Sequence, residues 1–267
     1  MAARSSSDGE RHSHKSCQGV LINHYIINLD RSPDRLAAIV ADCAAAGIEP
    51  IRVPAVDGKA VPVAERTLLD EKGFLRDHGK RPQPGEFGCY ASHLRVFEAF
   101  LASDADYAVV LEDDAAPPVD LKEIEQSLLE KDDWDLVKLV NYRMPKLLVD
   151  RKLHGNIALG RAVFGPTGGS AAYMLNRKAA AKLLQTLVPM TLPYDVALER
   201  GWAHKIRVRH VAPDAIALNE LTNNGLTMEG QSYSAYRLKP WQRLPTLRFR
   251  AVDFARRMIF AVSGRSA

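Results

Sequence analysis

Residues 20–58 read "VLINHYIINLDRSPDRLAAIVADCAAAGIEPIRVPAVDG". Val20 to Leu29 is rich in β-branched residues and stops at Asp30, the pattern of a buried strand. Ser32 is placed to cap a helix, with Pro33 at its first position. Leu36, Ile39, Val40 and Cys43 then share one helical face, and Gly47 ends it. "IEPIRVPAVDG" (48–58) is a second strand running into a turn at Asp57-Gly58. Strand, helix, strand at this spacing predicts parallel pairing through a right-handed crossover.

Outward from there the alternation continues. Residues 62–84 are polar and read as a short helix with a loop. In "PGEFGCYASHLRVFEAFLAS" (84–103), Phe87, Tyr90, Leu94, Phe97 and Leu101 recur at helical spacing. Gly88, Cys89 and Ser92 form the small opposite side. A strand is predicted at 107–111, a helix capped by Asp120 over 121–131, and a strand at 134–140. Residues 141–165 read as a loop, followed by a glycine-rich turn, a strand at 171–175 and a helix from Asn176. A short helix from Pro193 and a strand at 205–211 complete the pattern. The expectation is an α/β class with a mostly parallel central sheet flanked by helices, in one domain over 20–235. No Gly/Ser- or Pro-rich linker divides it.

The composition, 46% hydrophobic and 25% charged, is that of a soluble globular protein. Cys17, Cys43 and Cys89 form no CxxC pair, which points to a reducing compartment; Cys43 and Cys89 read as small apolar fillers. Residues 1–19 are polar, lack the apolar core of a secretory signal and read as a floppy tail, His12 and His14 included. No apolar run is long enough for a membrane span, so a cytoplasmic location is expected. Residues 236–267 carry eight Lys/Arg against one acid, Asp253; this +7 leaves the rest of the +4 chain at −3. There, Leu247, Ala251, Phe254, Met258 and Val262 share a helical face, with Arg248, Arg250, Arg256 and Arg257 mainly outside it. A basic amphipathic helix of this kind predicts contact with an anionic membrane surface, the alternative being packing on its own domain. Nucleic acid is not an expected partner, because the body offers no basic face.

"YAVVLEDDAAPP" (107–118) drives an apolar strand into Glu112, Asp113 and Asp114. Acidic loops are often only solvated surface. This one stands at the carboxyl end of a strand, where open α/β sheets bind ligands. If strand geometry persists, Glu112 and Asp114 point to one side. Crowded carboxylates repel, and a hard divalent cation such as Mn²⁺ or Mg²⁺ relieves that, taking its other ligands from phosphates. No GxxxxGK[ST] loop or dinucleotide fingerprint occurs, so the pattern fits an enzyme that binds a nucleoside diphosphate without hydrolysing it.

"IINLDRSPDRL" (26–36), "PAVDG" (54–58), "PGEFGCYASHLRVFEAF" (84–100) and "AVVLEDDA" (108–115), in this order, resemble glycosyltransferase family 25. "GPTGGSAAYMLNRKAAAKLL" (165–184) and "LPYDVAL" (192–198) resemble its later blocks, so the likeness covers about 22–200. The family comprises lipooligosaccharide-type sugar transferases and the collagen galactosyltransferases. The resemblance implies a GT-A-like fold, a UDP-sugar donor, typically UDP-galactose, Mn²⁺ or Mg²⁺, and transfer with inversion. It also implies a saccharide acceptor on a surface glycolipid, as in lipopolysaccharide synthesis. Carried over by position, Asp114 is the first metal ligand and Glu112 the second, within a motif that includes Asp113. Asn28, Asp30, Arg31 and Arg35 match the nucleotide-side first block, and Asp57 the uridine side. The segment after 210, "APDAIALNELTNNGLTMEGQS", is only loosely similar, and His210 is the candidate third ligand.

Inverting transfer needs a base, and Asp195 is the candidate, with Glu199 one turn on as the fallback. Asp195 also suits a helix N-terminus without catalysis. His93 is either catalytic or a hydrogen-bonded structural histidine. Gly168, Gly169 and Ser170 offer backbone N–H groups to a sugar or phosphate, or a plain turn. A peripheral site at the inner face of the cytoplasmic membrane would bring the enzyme to a lipid-linked acceptor. The rival reading is a catalytically silent carbohydrate- or membrane-binding module; a third is a phosphatase or nuclease using the same acids.

Overall fold

The computed structural model describes residues 19–219 and 238–264. All but Gly19 of the polar tail lies outside the described residues, as do the 235/236 boundary and the second half of the loosely similar segment. The strands are β1 (Ile22–Asn28), β2 (Ile51–Pro54), β3 (Tyr107–Glu112), β4 (Ala115–Ala116), β5 (Leu136–Lys138), β6 (Leu147–Lys152), β7 (Ala158–Ala162), β8 (Ala172–Asn176), β9 (Val208–Ala212) and β10 (Ala217–Leu218). The helices are α1 (Pro33–Ala45), α2 (Glu71–His78), α3 (Pro84–Ala102), α4 (Leu121–Leu129), α5 (Arg177–Thr186), α6 (Tyr194–Leu198), α7 (Gly201–His204) and α8 (Leu244–Ser263).

Eight strands form the main sheet in the order β2-β1-β3-β8-β5-β9-β7-β6. β1 pairs parallel with β2 and β3, and β5 with β9, while the partners of β8 and β7 are antiparallel. Six of the eight strands therefore run one way. Alternation along β3 builds two cores. Ala108 and Val110 face a cluster with Phe87, Tyr90 and Phe97 of α3; Val109 and Leu111 face one with Ile39 of α1 and Ile124 of α4.

Several local expectations need correction. Ser32 stands before α1 and Asp120 before α4, but neither side chain bonds an N–H of its helix. The helix α3 is instead closed by Glu86, which accepts from the Gln83 N–H at 2.8 Å. Residues 141–165 are not only a loop, since β6 and β7 form an edge hairpin there. β6 is largely exposed, so the inward-facing alternation that marks a strand in sequence is absent.

α8 meets the body through a face other than its apolar stripe. Buried are Thr246, Asp253, Arg257, Phe260 and Ala261, whereas Leu247, Phe254 and Val262 of the apolar stripe are 56%, 47% and 68% exposed. Polar side chains turn inward because they find partners. Asp253 accepts from Arg200 Nε at 2.7 Å, Thr246 donates to the Arg76 carbonyl at 2.9 Å, and Phe260 packs edge-on against Trp202. The extension thus packs on the body. Among the described residues no helix is long and apolar enough to cross a membrane.

One close approach fixes the Asp57-Gly58 turn against α3. A Cβ on Gly58 would lie 1.7 Å from the Pro84 carbonyl oxygen, and one on Gly88 would lie 2.5 Å from that of Val56. Ser92 Oγ secures the contact, accepting from the Val56 N–H at 2.8 Å and donating to the Gly88 carbonyl at 2.6 Å. Gly88→Ala is expected to destabilise by about 1–3 kcal/mol, the usual range for overpacking, read from the urea midpoint. An unchanged midpoint would contradict the tight docking.

Candidate active site

β1 and β3 are parallel neighbours with Ile27 opposite Glu112, so their carboxyl ends lie side by side. α1 and α3 pack on opposite faces of the sheet, which makes this a topological switch point. A cleft opens there with about 900 Å³ of non-atom space, open to solvent. Of the candidate residues, Arg31, Arg35, Asp57, His93 and the run Glu112–Asp114 line it. Lys59 and Cys89 line it too; Cys89, read from sequence as a filler, is partly exposed to the cleft rather than sealed in the core like Cys43.

The acids are held differently. β3 ends at Glu112 and Asp113-Asp114 form a turn, so strand alternation does not continue and the turn places Asp114. Glu112, on the α3 side, accepts from Ser170 Oγ at 2.5 Å and meets His93 Nε2 at 3.3 Å. Burial pushes its carboxyl up, but the bonds and charge of His93, with Ser170 and Arg35, leave it below the ordinary carboxylate value. Asp113 accepts from Asn28 Nδ2 at 2.7 Å and pairs with Arg35; burial still raises it. Among the described residues, Asp114 has Arg35 as its cationic neighbour, at 3.8 Å, and its buried Oδ1 has no hydrogen-bond partner. Burial first, then the charges of Glu112 and Asp113, push it up to about 6.

Around this centre, Arg31 pairs with Asp57 across the cleft mouth, and Asp30 pairs outward with Arg52. Asn28 braces Asp113 from behind and is itself bonded by Arg52 Nε at 3.3 Å. His93 is wholly buried. Its Nδ1 meets Tyr173 Oη at 2.8 Å, and its ring stacks on Tyr194 at 3.9 Å. Those two tyrosines escaped the sequence reading because their contacts join α3, β8 and α6.

Asp195 lies behind the glycine turn. Its Oδ2 accepts from the Gly169 N–H at 3.3 Å and its Oδ1 from the Val196 N–H at 2.8 Å. Burial raises its carboxyl. Its charge reaches the cleft, where burial, then Glu112 and Asp195, push the Cys89 thiol up. Glu199 cannot serve as the fallback base. It accepts from Lys138 Nζ, Thr167 Oγ1 and N, Gly168 N and Arg257 Nη1, all within 3.1 Å. Burial alone would raise it, but Lys138, His210 and Arg257 hold it at about 2. His210 is not brought to the acidic run either. It sits mid-sheet between Lys138 and Gly160, bonded to Asn141 Oδ1 at 3.0 Å, and burial lowers it to about 3. It faces a separate small cavity shared with Glu199 and Arg257.

The raised Asp114 value sets the sign of a pH effect. Below its unfolded value of about 3.8 the group is protonated in both states and costs nothing. As pH climbs toward about 6, the folded protein retains a proton that the unfolded chain has lost, so stability falls. Metal-free Asp114→Asn is therefore expected to melt higher than wild type at about pH 7, with the gain shrinking toward about pH 4, by scanning calorimetry. A gain independent of pH would contradict the crowding.

The profile of glycosyltransferase family 25 (LPS biosynthesis protein) matches residues 21–198. A glycosyltransferase 25 family member of Aedes aegypti is 30% identical over 180 residues, covering 60% of this chain and 27% of the relative. Procollagen galactosyltransferase 1 of Danio rerio is 27% identical over 60% of this chain and 28% of its own length. A rat relative named a probable inactive glycosyltransferase 25 family member 3 is 27% identical over 60% and 29%. This chain spans about a quarter of the length of these curated relatives. A solved glycosyltransferase involved in glycosylating the major capsid of PBCV-1 overlays with a TM-score of 0.32 at 10% identity, over 60% of this chain and 62% of that one. The profile match takes in β1, α3, β3 and the cleft between them, and the chain belongs to glycosyltransferase family 25.

Proposed function

We propose that the chain is a GT-A-like glycosyltransferase that moves a sugar, galactose by preference, from a UDP-sugar to a saccharide acceptor with inversion. The observation that carries this reading is the buried Asp114 Oδ1, without a hydrogen-bond partner among the described residues, beside Glu112 in a cleft at a switch point. Unpaired carboxylate oxygen among acids suits a hard cation, and Glu112 and Asp114 are the residues to hold Mn²⁺ or Mg²⁺. Such an ion, when bound, neutralises charge on the departing diphosphate. Arg31, Arg35 and Lys59 add positive charge for the phosphates, and Asp57 borders the uridine side. Asp195 takes the proton from the acceptor hydroxyl, a role that its raised affinity for a proton favours. Attack opposite the leaving diphosphate in a single displacement inverts the anomeric carbon.

The galactosyltransferase names of relatives support galactose as the sugar, and the family description supports a lipopolysaccharide-type acceptor. UDP release from UDP-galactose is expected to require Mn²⁺ or Mg²⁺. Asp114→Ala should lower it at least about 100-fold, a loss of roughly 2.7 kcal/mol in transition-state stabilisation. Wild-type protein that binds neither UDP nor Mn²⁺ by calorimetry would favour the silent module instead.

The outer side of α8 supports a membrane location at the inner face of the cytoplasmic membrane. Ile259 and Val262 are each 68% exposed, with Arg248 and Arg256 also exposed, and Trp241 just before the helix is 65% exposed. Sedimentation with anionic vesicles is expected to capture the protein and to fail at high salt. Ile259→Glu with Val262→Glu should abolish capture; retention by that variant would contradict the assignment.

A further inference from the structure

Beside the carboxylates lies a second donor set of different chemistry. Cys89 and His93 are four residues apart on α3 and so share a helix face, and Glu112 arrives from the end of β3. Cys89 Sγ, a His93 ring nitrogen and a Glu112 carboxylate oxygen all lie within 4.8 Å of one another. His93 Nε2 and Glu112 Oε1 are 3.3 Å apart. All three residues line the cleft, which supplies an entry path and leaves one side open.

The supporting contacts are those of a ligand set. Tyr173 Oη, 2.8 Å from His93 Nδ1, can accept a hydrogen bond from Nδ1–H, which leaves the Nε2 lone pair on the side of Glu112. Ser170 Oγ donates to Glu112 Oε1, the oxygen that meets His93, at 2.5 Å and fixes the carboxylate. Sulfur, imidazole and one carboxylate are a poor set for Mn²⁺ or Mg²⁺ and a good one for zinc.

We propose that Cys89, His93 and Glu112 form a Zn²⁺ site with three protein ligands and a fourth position open to the cleft. Binding converts the Cys89 thiol to a zinc-bound thiolate and releases its proton to solvent, one per ion, with no electron transferred. His93 binds as the neutral ring. Glu112 is also a proposed ligand of the hard ion, so the two ions compete for it. That competition rests on the function proposed above, whereas zinc binding itself does not.

The test uses the full chain, with Co²⁺ as the spectroscopic probe and Zn²⁺ in calorimetry. One Co²⁺ per chain is expected to give a thiolate-to-cobalt charge-transfer band that one equivalent of Zn²⁺ erases. Zinc titrations in two buffers of different ionisation enthalpy should report one proton released. Cys89→Ser should remove the band and weaken zinc at least about tenfold, and His93→Gln should weaken it likewise while keeping thiolate absorption. Cys43→Ser and Cys17→Ser should leave both readouts unchanged. A wild-type protein without the band, or a band that disappears with Cys17→Ser and survives Cys89→Ser, overturns the site. Neither readout depends on sugar transfer, so a catalytically silent chain that binds zinc would refute the enzyme reading and leave this one intact.

Discussion

Three adjacent carboxylates stand where a buried strand ends, and among the described residues one guanidinium, Arg35, pairs with them. Arg35 is committed mainly to Asp113, which Asn28 also holds, and Glu112 is satisfied by Ser170 and His93. The deficit falls on Asp114. A fold built only for stability would place a cation or a neutral side chain there, because buried unpaired acceptors cost about 1–3 kcal/mol. The remainder of the site follows from this imbalance: the β1–β3 register that aims Glu112, the first-block residues that brace Asp113, and the glycine contact that brings Asp57 to the rim.

The other buried acid centre is its opposite. Glu199 and Lys138 have fully buried side chains, and the carboxylate accepts five hydrogen bonds. Removing one partner from such a pair usually costs about 3–5 kcal/mol, which marks it as architecture. Its position ties distant parts together. Through Arg257 it holds α8, and through the Thr167 and Gly168 N–H groups it holds the glycine turn beside Asp195. The C-terminal helix and the glycine turn beside the candidate base are therefore both tied to this carboxylate.

How far the sequence carries depends on the range of the contacts. The strand–helix–strand opening, the α3 stripe and the position of the acids after β3 are set by local periodicity and were legible. So was the grouping of Arg31, Arg35, Asp57 and the acids, through the order of family blocks. What escaped was decided by partners remote in sequence. Lys138 looks like a strand-surface charge until Glu199 meets it, and Glu199 looks like an available base until Lys138 and Arg257 occupy it. His210 stands near a strand end in sequence but mid-sheet in space, between β5 and β7. On α8 the apolar stripe stays largely exposed, and the inward face is set by Asp253 and Arg257, whose ion pairs periodicity cannot register.

The central claim is that Glu112 and Asp114 converge on one hard cation. Anomalous scattering at the manganese edge, from crystals soaked with Mn²⁺ and UDP, tests it most directly. The account predicts a single peak in the β1–β3 cleft, with an Asp114 carboxylate oxygen at about 2.1 Å and a Glu112 oxygen coordinated directly or through one water. Bound UDP with no anomalous peak at the acids, or a peak elsewhere with Asp114 uncoordinated, would contradict it.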